Sequence, residues 1–231
     1  MLRSRLIDIV EFSYARLRNK INGGRIQVYN ESSLQLHLSA ILKATGEMFE
    51  YKRSEMFSIE LEKPHYISNG NFAKSGTKKA RIDIFISIED TVTREREGCG
   101  IELKFFKREN QREPNNRYDI YADLQNLERY GDVCGVGFLI VGTDHDHYVN
   151  KMAYSADTAD FDTRHGFAYL AGTELTYRTG GYGPPITLAN SYQFTWDKDV
   201  GGVNFLKLQV TPSPTLVTPI NNSSPAVLPS V

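Results

Sequence analysis

Two stretches decide how this chain is read: Arg-Ile-Asp-Ile-Phe-Ile-Ser-Ile at residues 81–88, and Gly-Ile-Glu-Leu-Lys-Phe-Phe at residues 100–106. Both are rich in β-branched and aromatic side chains and alternate in polarity, which predicts strands. Side chains of a strand point alternately to its two faces. Asp83, Phe85 and Ser87 are therefore expected on one face, and Ile82, Ile84 and Ile86 on the other. Likewise Glu102 and Lys104 oppose Ile101, Leu103 and Phe105. Paired as an antiparallel hairpin, with the charged residues 90–98 as the turn, the strands bring Asp83 opposite Glu102 or Lys104. Facing side chains lie about 4.5–5.5 Å apart at Cβ. Two carboxylates at that range repel unless a cation sits between them. Lys104 helps, and a divalent ion accounts for the pattern better. Mg²⁺ takes oxygen ligands and keeps several waters, so one or two carboxylates plus a phosphate oxygen suit it. The simpler alternative is a solvent-facing hairpin whose surface ion pair contributes at most about 1 kcal/mol.

Outward from this pair, the order of elements takes shape. Residues 1–21 carry Leu2, Leu6, Ile9, Val10, Leu17 and Ile21 at helical spacing, and Asn22-Gly23-Gly24 is a stop signal. A second helix is expected from Asn30 or Glu31 to Thr45, with Leu34, Leu38, Ile41 and Leu42 inward and Gly46 as its end. Glu31 and Gln35 project into the same arc as Leu34, Leu38 and Leu42. A carboxylate there is either part of a site or a first-turn acid favoured by the helix dipole. Residues 56–61 read as a strand and 63–79 as a loop. A helix over 119–130, with Ile120, Leu124 and Leu127 inward, precedes the apolar run 133–141, which reads as a strand covered on both faces. Short strands are expected at 167–170, 175–177, 192–196 and 205–210, and a disordered, uncharged, Pro-rich tail over 211–231.

An Asp, a spacer and then Glu-x-Lys on adjacent strands, preceded by a helix carrying Glu, resembles the PD-(D/E)XK nuclease superfamily. The resemblance covers residues 30–142. It implies an α/β (α+β) fold: a restriction-endonuclease-like core with a mixed central β-sheet flanked by helices, here with a β-rich C-terminal extension. It implies metal binding by Asp83, Glu102 and the Leu103 carbonyl, and a Lys104 that orients or activates water and offsets phosphate charge. Glu31 matches the acid that many members place on the first core helix. Ile82 stands where the motif has proline. Gln125 is followed by Tyr130, one position off a Gln-Tyr pair that some members carry, so that role is not transferred. The implied function is a Mg²⁺-dependent endonuclease, with Mn²⁺ as a substitute ion, acting on DNA or else RNA in restriction or defence. A symmetric double-strand cut would call for a homodimer.

The expected organisation is an N-terminal helix and connector (1–30), the nuclease-like core (31–142), a β-rich extension of the same domain (143–210) and the tail (211–231). Lys74, Lys78, Lys79 and Arg81 lead into the first strand. Lys107, Arg108, Arg112 and Arg117 follow the second, in what reads as a loop able to track nucleic acid. With 27 basic and 28 acidic residues the net charge is −1, so any electrostatic footprint must be local. Asp144-His145-Asp146-His147 resembles a metal cluster but has no further ligands at zinc spacing, and a solvated loop is the simpler reading. Cys99 and Cys134 form no disulfide framework. With no apolar run long enough to span a membrane and no secretory leader, the expectation is a cytoplasmic protein with reduced thiols and no membrane partner. Two rivals are a nucleic-acid-binding protein with a decayed site, and an interaction protein working through its β-rich C-terminal part.

Overall fold

The computed structural model describes residues 1–67, 71–72, 76–110, 112–178, 180, 182–200 and 202–213. The chain is mixed α/β. Helices α1 (Leu2–Asn22) and α2 (Glu31–Glu47) precede strands β1 (Glu55–Tyr66), β2 (Lys79–Asp90) and β3 (Arg96–Phe106). Helix α3 (Glu113–Glu128), strand β4 (Val136–Thr143) and the one-turn helix α4 (His147–Asn150) follow. The remainder holds short pairs β5 (Ala168–Tyr169), β6 (Glu174–Leu175), β7 (Ile186–Thr187), β8 (Tyr192–Gln193) and β9 (Trp196–Asp197), then β10 (Asn204–Val210).

The central sheet has the order β1-β2-β3-β4-β10-β9. β1, β2 and β3 form an antiparallel meander, whereas β3 and β4 are parallel and joined through α3. A parallel pair needs such a crossover, and the helix covers the sheet face it crosses. β10 then pairs antiparallel with β4, so the C-terminal segment completes the sheet instead of forming a separate appendage.

Both faces of the sheet are covered over its inner strands. On one, Leu6, Ile9 and Leu17 of α1 and Leu34, Leu38 and Leu42 of α2 pack on Ile84, Ile86, Ile101, Leu103 and Phe138. On the other, Tyr121, Leu124 and Leu127 of α3 pack with Ile82, Phe85, Leu139 and Val141, and the extension adds Tyr169, Phe194 and Trp196. The solvent-facing hairpin is thereby excluded.

Several expectations change. α3 starts at Glu113 with Pro114 in its first turn, where a missing N–H costs nothing, so residues 113–117 are helix and not a tracking loop. Residues 63–66, read as loop because of Pro64, continue β1; proline is tolerated because β1 is an edge strand. Gly46 lies inside α2, packed under the Phe57 ring, and does not end the helix. α1 belongs to the same packed body as α2 and the sheet. Of the expected tail, Thr211, Pro212 and Ser213 are described, and Ser213 N–H donates to the Glu128 carbonyl at 2.9 Å; residues 214–231 lie outside the described residues.

Candidate active site

The hairpin register follows the expected arithmetic. Ile84 faces Ile101, Phe85 faces Gly100 and Ser87 faces Gly98. That register continues to Asp83 opposite Glu102, but regular pairing stops one step short, at Ile84. On its other side β2 pairs with β1 through Leu61–Ile84 and Lys63–Ile82, skipping Glu62 and Asp83. Glu62 has φ of 53°, the left-handed region that residues other than glycine seldom adopt. The alternation breaks here: Ile82 joins the core on the α3 side, and Ile84 and Ile86 join the core on the α1/α2 side. The expectation that all three isoleucines share a face is therefore corrected. The kink lies at the candidate aspartate.

It frees the Asp83 backbone and side chain for other partners. The Asp83 carbonyl accepts the Gln35 side-chain amide at 2.7 Å, and that amide also reaches Glu62 at 3.0 Å. Asp83 Oδ2 accepts the Leu103 N–H at 2.7 Å. Gln35 thus does fall in the site arc of α2.

Glu102 and Lys104 share a face of β3, as strand alternation requires, and both are buried beneath α3. Glu102 Oε1 accepts the Tyr130 hydroxyl at 2.8 Å. Lys104 Nζ sits 2.7 Å from Asp123 Oδ2 on α3, 3.4 Å from Glu31 Oε2 at the start of α2, and 2.7 Å from the Leu103 carbonyl. Glu31, Asp83, Glu102, Lys104 and Asp123 line one cleft of about 190 Å³, together with Phe72, Arg81 and Asn126. Glu31 and Lys104 also line an adjoining cleft of about 450 Å³ that includes Arg112 and Asn116.

The electrostatics follow from four acids around one ammonium, with Glu102, Asp123 and Lys104 buried, Asp83 partly buried and Glu31 half-exposed. Burial pushes the Asp83 carboxyl up to about 6, against the pull of Lys104 and the Leu103 N–H. Burial, and then Asp83 and Asp123, push Glu102 well above the usual carboxylate range. Burial opposes the Lys104 charge, yet Asp123, Glu31, Asp83 and Glu102 together raise its pKa, so it remains an ammonium. Such a constellation holds more negative charge than Lys104 offsets, and protonation or a further cation relieves it.

Asp123 carries no signal in the sequence, and Tyr130 enters there only as one position off a Gln-Tyr spacing, with no role assigned. Asp123 sits inside an ordinary helical stretch, and only the crossover of α3 over β3 brings it to Lys104. Tyr130 does reach Glu102, while Gln125 turns away to the Thr187 carbonyl.

The basic residues divide. Arg81 and Arg112 are exposed and border the two clefts. Lys78 and Lys79 are exposed on the approach to β2, Lys79 lying over the Tyr66 ring. Lys107 pairs with Glu109 at 2.8 Å. Arg108 lines a different cleft, with Asp144, Asp146 and Lys198. Arg117 is corrected: it is 1% exposed, and its guanidinium donates to the Thr158 and Phe161 carbonyls. It braces the extension and has no surface to offer a phosphate. Lys74 lies outside the described residues. Among the described residues no helix is long and apolar enough to cross a membrane.

Compared with known proteins, the chain matches no family model, no curated protein and no solved structure.

Proposed function

We propose that this chain is a metal-dependent endonuclease hydrolysing DNA phosphodiester bonds on a restriction-endonuclease-like core. The observation that carries the reading is the convergence of Asp83, Glu102 and Lys104 with Glu31 in one cleft. A helix ahead of three antiparallel strands, then a crossover helix and a parallel strand, supports the core assignment.

The donor set fits a hard divalent cation. Asp83 commits Oδ2 to the Leu103 N–H and Glu102 commits Oε1 to Tyr130; each keeps its other carboxylate oxygen without a hydrogen bond among the described residues. These two oxygens, with the Leu103 carbonyl, would hold Mg²⁺ or Mn²⁺. The ion when bound supplies Lewis-acid polarisation of a phosphoryl oxygen and a more acidic water. The chain's own residues do the rest. Leu103 N–H fixes the Asp83 carboxylate, and Tyr130 fixes that of Glu102. Asp123 and Glu31 hold the Lys104 ammonium where negative charge grows in the transition state, without the reorganisation that water would need. Arg81 and Arg112, at the mouths of the clefts, contact backbone phosphates and position the duplex without reading its sequence.

Plasmid DNA incubated with purified protein and Mg²⁺ tests this. Cleavage is expected from the wild type, and Asp83→Ala and Lys104→Ala should each lose at least about 100-fold in rate. Equal cleavage by all three proteins would locate the activity elsewhere. Salt-dependent binding with no cleavage across several DNA sequences and metals would make this a non-catalytic DNA-binding protein.

A further inference from the structure

Asp144-His145-Asp146-His147 lacks a third ligand in sequence, but the fold supplies one. Helix α3 begins with Glu113, and the turn after β4 carries His145 to it, followed by His147 at the start of α4. His145 Nε2 lies 2.9 Å from Glu113 Oε1. One ligand atom from each of Glu113, His145 and His147 falls within 4.8 Å of the others. All three are partly buried, walled by Tyr148 and Tyr154, whose rings lie 5.5 and 5.2 Å from that of His147. A separate observation concerns His147: its Nε2 is shut off from solvent and makes no hydrogen bond among the described residues. A buried ring nitrogen without a partner forfeits a bond that water or an ion would provide.

We propose that Glu113, His145 and His147 hold a divalent transition-metal ion of the Zn²⁺ class. Two imidazoles and a carboxylate form a three-ligand set that leaves a position open to water. Nitrogen donors separate it from the all-oxygen cleft around Asp83, since imidazole favours zinc-like ions over Mg²⁺. Arg117 and Lys151 oppose a cation. Arg117 is engaged by carbonyls, and Lys151, 3.3 Å from His147 Nδ1, is exposed and can turn to solvent. An ion on His145 Nε2 moves the ring proton to Nδ1, which gives up its long 3.4 Å contact from the His147 N–H. The ion ties the start of α3 to the turn after β4. The inference does not rest on the nuclease reading.

The full chain, stripped with chelator, is titrated with Zn²⁺ by calorimetry and with Co²⁺ by visible ligand-field absorption. One tight equivalent per chain is expected, with a rise in Tm of about 5 °C or more at saturating Zn²⁺. His145→Ala, His147→Ala and Glu113→Gln should each weaken it at least tenfold, since even a supporting partner is worth about that much. Asp83→Asn should retain it. If a histidine variant departs from the wild type in circular dichroism, the near-isosteric Glu113→Gln decides alone. Absence of binding, binding unchanged by Glu113→Gln, or binding lost only in Asp83→Asn would each overturn the proposal.

Discussion

Lys104 is the residue on which the candidate site turns, and what holds it is Asp123. The pair is buried, and removing one partner of such a pair leaves a charge without compensation. Asp123→Asn is expected to cut any Mg²⁺-dependent cleavage by roughly tenfold or more by letting the ammonium drift, while Asp123→Ala also lowers Tm. A rate unchanged in Asp123→Asn would mean that Lys104 needs no positioning from α3. A second buried pair tests linkage. Arg5 donates to both Glu55 oxygens at 2.7 and 2.9 Å, and Tyr51 N–H adds a third bond. The Arg5 hydrogen bonds, outweighing burial, draw the Glu55 carboxyl down from 4.5 to about 2. Its folded pKa is depressed, so its contribution is full above about 4.5 and is lost as pH falls toward 2. Glu55→Gln should lose about 3 kcal/mol at pH 7 and flatten the acid limb of stability; denaturant melts from pH 7 to pH 3 measure both. At this scale the sequence was legible where side chains sit on one strand or a hairpin apart, as with Asp83, Glu102 and Lys104. It was not legible for Asp123, Tyr130 or Arg117. Their partners come from β3 or from the turn at Thr158 and Phe161, and no local period encodes such meetings.

Among the elements, α2 carries a packing device that its sequence only half reveals. Gly46 looks like a helix stop, yet it lets the Phe57 ring of β1 sit directly on the helix backbone. Alanine there would gain helix propensity but must displace that ring. The displacement should win, and Gly46→Ala is expected to destabilise by about 1–3 kcal/mol; a rise in Tm would show that the ring yields freely. In helix α3 the expected inner stripe of Ile120, Leu124 and Leu127 is buried, but the helix begins six residues earlier than expected, at Glu113. Its first turn reads as charged loop, because Arg117 and Asn116 look like surface residues until the extension folds over them. Strand β1 runs past its expected end for the converse reason: Pro64 argues against a strand unless the strand lies at an edge, and edge position is a property of the sheet.

For the molecule as a whole, the sheet binds strands from residue 55 to residue 210 into one body. β10 lies inside it, and Leu206, Leu208 and Val210 enter the core beside α3. Glu128, at the end of α3, accepts from Ala189 N–H, Asn190 N–H and the Tyr192 hydroxyl at 2.7, 2.8 and 2.8 Å. A chain ending at residue 142 should therefore fail to fold, leaving β4 an unpaired hydrophobic edge; a cooperative melt from such a fragment would show the core self-sufficient. The boundary at 143 follows a change in texture, from long periodic elements to short strands between turns. Texture does not reveal that a late strand returns to pair with β4.

The missed pairing at Glu62 and Asp83 leaves a notch between β1 and β2. Gln35 plugs that notch from α2, and Glu31 rides one turn earlier on the same helix. Lifting the helix would withdraw one acid and strip the other's main chain of its partner in a single stroke. The pocket should therefore come apart all at once, and whatever tightens the helix against the sheet should assemble it in the same way.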